Sequence, residues 1–108
     1  DMINASGFKV WPREVEDALY LLPEVLEAAV VGVPDEYRGE SVVAYLTLKP
    51  GRSLTEADVI AHARKHLAAF KAPHRVVIAE ALPKTASGKI LRRELRDQAS
   101  GREDETSR

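Results

Sequence analysis

The sequence predicts an α+β domain: a small mixed β-sheet flanked by about three helices. Three observations predict it. Short apolar strand-like runs interleave with segments of helical periodicity, in the order β-α-β-β-α-β-α. The 108 residues allow one core and one domain, and the composition, 44% hydrophobic and 31% charged, is that of an ordinary globular chain. There is no cysteine, so disulfides, thiolate metal sites and cysteine nucleophiles are excluded.

The elements follow in order. "FKVW", residues 8–11, reads as a short strand. Pro12 suits a first helical turn, where a missing N–H costs nothing. Val15, Ala18, Leu19 and Leu22 then fall on one helical stripe that Pro23 ends. "VLEAAVVGVP", residues 25–34, reads as a largely buried strand, "DEYRGE" as a polar turn and "SVVAYLTL", residues 41–48, as a second long strand. Thr55 and Asp58 fit a capping box, with Leu54 and Val59 as its hydrophobic staple. Ile60, Ala63 and Leu67 continue that helix's buried face. "FKAPH" breaks the pattern, and "RVVIAE" is a third strong strand. In the last helix Leu91 and Leu95 face one way, and Arg92, Arg93 and Arg96 another. The domain is expected over residues 1–98, with 99–108 a disordered polar tail. The opening "DMINASG" lacks an initiator Met and begins in mid-pattern, as expected of a piece of a longer protein.

Charge and motifs narrow the function classes. Sixteen basic and 17 acidic side chains give a net charge of −1, which argues against a general nucleic-acid binder. No apolar run is long enough for a membrane helix and no signal peptide opens the chain, so the cytoplasm is the default location. The Gly88-Lys89 pair suggests a phosphate-binding P-loop, but Pro83 stands where that motif needs its first glycine and Ile90 where it needs Ser or Thr. His62 and His66 share a helix face, yet a metal site needs a third ligand, so no metal is expected there. Lys84, Lys89, Arg92, Arg93 and Arg96 form a basic cluster that a phosphate- or nucleic-acid-binding module could use, although Glu94 and Asp97 interleave with it and no aromatic lies among it. Lys89 differs from the others. It follows Gly88 on a flexible stretch and can reach outward as a compact point charge.

"PKTASGKI", followed by "LRRELRD", closely resembles the C-terminal lysine motif of the adenylate-forming enzymes, which include acyl-CoA synthetases, luciferases and peptide-synthetase adenylation domains. "DMINASGFKVWPREVE" resembles the start of that superfamily's small C-terminal lid domain. "LLPEV", "EAAVVGVPDEYRGE" and "FKAPHRV" follow in the family's order, over residues 1–98. "GFKVWPREVE" and "DEYRGE" look most like acyl-CoA synthetases. The resemblance implies a ligase that activates a carboxylic acid, expected to be a medium- or long-chain fatty acid, with ATP, and then passes the acyl group to coenzyme A. It implies a large N-terminal domain as partner, carrying the acyl specificity and the ATP and Mg²⁺ sites, and joined by a hinge just before Asp1. The 108 residues alone are then expected to fold but to be inactive. By the same resemblance Lys89 is the catalytic adenylation lysine, and acetylation of it would remove the charge. Ser6, Gly7 and Phe8 line the coenzyme A channel, and Lys9 meets the nucleotide. Arg38 contacts coenzyme A, as do Ala72, Pro73 and His74.

Overall fold

The computed structural model describes the backbone of residues 1–106 and the side-chain surroundings of residues 1–100. Its strands are β1 (Ile3–Ala5), β2 (Phe8–Val10), β3 (Val25–Asp35), β4 (Gly39–Leu48) and β5 (Arg75–Ile78), and its helices α1 (Pro12–Leu19), α2 (Glu56–His66) and α3 (Arg92–Thr106). A short 3₁₀ turn, Ala69–Lys71, precedes β5.

The sheet is mixed. β2, β1, β4 and β3 follow one another antiparallel, and β5 joins β4 in parallel. β3 pairs with β4 along its whole length, from Val25↔Leu48 to Asp35↔Gly39. The other edge of β4 is shared end to end: β1 meets it at Gly39 and β5 from Val43 to Leu46.

Alternation along β3 and β4 fills both faces of the sheet. Ala28, Val30, Val42, Ala44 and Leu46 pack with Val15 and Leu19 of α1 and with Val59 and Ala63 of α2. Ala29, Val31, Val33, Val43 and Tyr45 pack with Leu82 and with Leu95 and Ala99 of α3. The long apolar run of β3 thus reflects burial on two sides. The Tyr45 hydroxyl donates to the Leu95 carbonyl at 3.2 Å, tying α3 to its face.

The outer edges of β3 and β5 are met by side chains from α1, the residue after it and α2. Tyr20 Oη, just past α1, accepts from the Ala28 N–H at 2.9 Å, and Glu16 Oε2, one turn earlier, accepts from the Val30 N–H at 2.9 Å. Glu56 of α2 does the same for the Val76 N–H of β5, at 2.7 Å. Unpaired edge groups are thereby satisfied. The capping box of α2 is present: Thr55 Oγ1 accepts from Asp58 N–H, and the Asp58 carboxylate accepts from Thr55 N–H, both at 3.1 Å. The Thr55 N–H first, and the Thr55 side chain second, hold the Asp58 carboxyl below the usual aspartate range.

Two sequence expectations change. Ile3–Ala5 forms a strand that the sequence reading passes over. Residues expected in a disordered tail continue α3 as far as Thr106, and Ala99 is 1% exposed in the second core. Residues 107–108 of that expected tail lie outside the described residues.

Candidate functional site

The gap between β1 and β5 on the shared edge of β4 is a cleft of about 190 Å³. Ser6, Arg38, Ala72, Pro73 and His74 line it, with Ala5, Val42, Arg64, Ala69 and Phe70. Five residues singled out from three separate stretches of sequence therefore meet in one place. Gly7, Phe8 and Lys9 are not among the lining residues. Gly7 turns the chain beside Ser6, and Phe8 reaches the cleft wall by stacking on Phe70, ring centroids 4.4 Å apart. Lys9 is exposed on β2, opposite Asn4.

Local chemistry shapes this cleft. Ala5 and Phe8 are paired across the two-residue loop Ser6-Gly7, whose φ angles of 55° and 82° are those of a tight primed hairpin turn. The Ser6 N–H donates to the Arg38 carbonyl at 2.7 Å, which joins the hairpin to the β3–β4 turn. Asp35 shapes that turn by accepting from the Arg38 and Tyr37 N–H groups, each at 2.9 Å, and from the Arg38 guanidinium at 3.1 Å. The two backbone donors, that of Arg38 first, hold the Asp35 carboxyl below its usual range. The third wall is set by the His74 N–H, which donates to the Val42 carbonyl at 2.7 Å, and by Lys71, which bridges to Glu14 of α1 at 2.9 Å.

The result is an apolar floor of Ala5, Val42, Ala69, Ala72 and Pro73 beside two guanidiniums and an imidazole. Such a surface suits a ligand with a slender chain and an anionic end. Its volume falls below the ~300 Å³ at which small-molecule pockets begin. Arg64 and Phe70 escaped the sequence reading. Arg64 lies in the last turn of α2, and only the fold brings it to the cleft that Arg38 lines.

Lys89 sits elsewhere. Its loop starts from Lys84, which bridges to Glu27 at 2.6 Å near the Val25–Leu48 end of the sheet, and it closes through a β-bridge of Lys84 with Ile90. The cleft lies at the Gly39 end of β4. The eight residue steps from Gly39 to Thr47, which hydrogen-bonds Glu27, span about 26 Å at roughly 3.3 Å per step. The loop is also less open than the sequence suggested: its tip is closed by hydrogen bonds among Thr85, Ser87, Gly88 and Lys89.

The rest of the basic cluster is largely neutralised. Lys84 pairs with Glu27, Arg92 with Glu16 at 2.7 Å and Arg96 with Glu40 at 3.1 Å. Lys89 and Arg93 have no carboxylate partner among the described residues. A coherent phosphate-tracking stripe is not assembled, which removes the support for a nucleic-acid module. His62 is half-buried with Nε2 2.7 Å from the Ala18 carbonyl, its ring 4.4 Å from that of His66. It fastens α2 to α1, and no group of three metal-binding side chains occurs among the described residues. No helix among them is long and apolar enough to cross a membrane.

Residues 14–89 match the family model of the AMP-binding enzyme C-terminal domain. The chain is 48% identical over 101 residues to an acetyl-coenzyme A synthetase of Deinococcus radiodurans, covering 94% of this chain and 16% of that protein. It is 47% identical over 98 residues to a long-chain-fatty-acid–CoA ligase of Bacillus subtilis, covering 91% of this chain and 18% of that one. The crystal structure of apo MatB from Rhodopseudomonas palustris superposes with a TM-score of 0.88 at 35% identity, covering 93% of this chain and 20% of that one. The chain thus spans a fifth or less of the length of these relatives. A family match over 76 residues, identities near one half and a shared backbone lead to one conclusion: the chain belongs to the AMP-binding enzyme C-terminal domain family.

Proposed function

We propose that this domain serves an AMP-forming acyl-CoA synthetase, working beside a large N-terminal domain that holds ATP, Mg²⁺ and the carboxylic acid. The acid is a fatty acid, by analogy with the relative named for long-chain substrates. The location is the cytoplasm. The single observation that carries the reading is the meeting of Ser6, Arg38, Ala72, Pro73 and His74 in one cleft, far along β4 from Lys89.

The two ends have separate chemistry. At one, the exposed Lys89 ammonium is brought to the point where a carboxylate attacks a phosphate. Both reactants are anions there, and a positioned cation lowers their repulsion and stabilises the charge that develops. At the other end, the cleft receives coenzyme A. Arg38, Arg64 and His74 face its phosphates, while Ala72, Pro73 and the Ser6-Gly7 turn leave a smooth path for the narrow chain. Phe8 and Phe70 flank that path. Lys9, exposed on β2, faces the nucleotide.

The test is a pair of half-reactions in the intact ligase. Lys89→Ala is expected to slow carboxylate-dependent pyrophosphate exchange about 10²–10³-fold. Thioester formation from supplied acyl-adenylate is expected to persist. Arg38→Ala with Arg64→Ala is expected to raise the KM for coenzyme A and to spare the exchange. Undiminished exchange in Lys89→Ala would sink the reading.

A further inference from the structure

The tip of the Lys89 loop is organised by one residue. The Thr85 N–H donates to the Lys89 carbonyl at 2.8 Å, and the Thr85 carbonyl accepts from the Gly88 N–H at 2.9 Å. Thr85 Oγ1 accepts from the Lys89 N–H at 3.1 Å and lies 3.0 Å from Ser87 Oγ. All four contacts of the tip converge on Thr85. Below it the loop is anchored by the Lys84–Glu27 pair, by Ile90 against the second core and by the Leu91 N–H, which donates to the Pro83 carbonyl at 2.9 Å. The base is fixed by packing and charge. The exposed tip has only Thr85 to hold it.

We propose that Thr85 is a positioning residue for Lys89, its hydroxyl fixing the backbone from which the ammonium projects; this rests on the role given to Lys89 above. A hydroxyl can accept from one amide and share a second hydrogen bond with another hydroxyl, as Thr85 Oγ1 does with the Lys89 N–H and Ser87 Oγ. Valine has the same shape and can do neither. The long lysine side chain already samples many rotamers. A wandering Cα would spread the ammonium over a larger volume and reduce the time it spends where charge develops. The effect acts on adenylation alone, because the coenzyme A cleft lies at the other end of β4.

The test compares Thr85→Val, Thr85→Ser and Lys89→Ala in the intact ligase. Thr85→Val is expected to lower kcat for carboxylate-dependent pyrophosphate exchange by tenfold to a hundredfold, order of magnitude. The KM for ATP, the melting temperature and thioester formation from supplied acyl-adenylate are expected to hold. Thr85→Ser is expected to restore most of the rate. In the 108-residue chain, amide exchange at Lys89, read by NMR, should quicken in Thr85→Val and not in Thr85→Ser. Wild-type exchange rates in Thr85→Val beside a slow Lys89→Ala would overturn the role of Thr85 and leave that of Lys89. A fast Lys89→Ala overturns the underlying reading instead. Equal damage from Val and Ser would assign the effect to the methyl group, against the proposal. So would an unchanged Lys89 amide in Thr85→Val.

Discussion

Ser6 and Gly7 both take positive φ, at opposite cost. A Cβ at Gly7 would meet nothing within 4 Å, so the penalty for Gly7→Ala is backbone strain alone, about 1–2 kcal/mol. Ser6→Gly relieves the same strain but frees the unfolded chain by a similar ~0.5–1 kcal/mol, and is expected to be nearly neutral. Urea denaturation of the two variants checks the asymmetry. The resemblance placed Gly7 in a ligand channel, and the structure adds the turn that requires a glycine there. Gly32 is different: a Cβ there would come within 2.8 Å of Glu40 Oε2 and 3.0 Å of Ile3. Glu40 accepts from the Asn4 N–H and from Arg96, so a methyl at position 32 presses on the junction of β1, β4 and α3. Neither demand leaves a trace in periodicity, because a glycine inside an apolar run looks the same whatever crowds it.

Among elements, α1 shows how much a single carboxylate holds. Glu16 is 4% exposed and receives both the Val30 N–H and the Arg92 guanidinium. It therefore seals the β3 edge and joins a helix of one face to a helix of the other. Glu16→Ala strands both donors and is expected to destabilise by about 2–3 kcal/mol in denaturant titration. The C-terminal helix gives a second prediction. Ala99→Asp places a charge in the second core and is expected to cost about 3 kcal/mol by the same measurement. Long periodic elements were legible in the sequence: α2, β3, β4 and the capping box stand where their patterns put them, and α1 is present but ends at Leu19, before the expected Leu22. The misses were elements whose structure comes from neighbours. Three residues of β1 carry no period of their own and are strand by pairing with β2. The polar composition after residue 98 hides Ala99, four residues beyond Leu95 on the same face.

For the whole molecule, the ends of β4 are held by charge as well as by packing. The Lys84 ammonium, by its hydrogen bond, holds the Glu27 carboxyl below its usual value; burial opposes this and Thr47 assists. A carboxyl lowered in the folded state contributes stability that is fully present above its ordinary pKa of about 4.3 and is lost as pH falls through the lower folded value. The stability of the wild type over Glu27→Gln is therefore expected to shrink between roughly pH 5 and pH 3 and to be constant at neutral pH, read by denaturation across pH. Of the candidate site, Ser6, Arg38, Ala72, Pro73 and His74 were named through the resemblance of their stretches to a known family, and the fold brings these five to one cleft. The company they keep was not legible, since Arg64 joins Arg38 only when α2 crosses the sheet. The cleft itself is a vacancy in strand alignment: β1 leaves the edge of β4 at Gly39 and β5 takes it up at Val43. Its width is inherited from how the chain is threaded, and so depends on strand register more than on the side chains of its walls. Inserting or deleting one residue between 69 and 74 would shift the register of β5 and erase it.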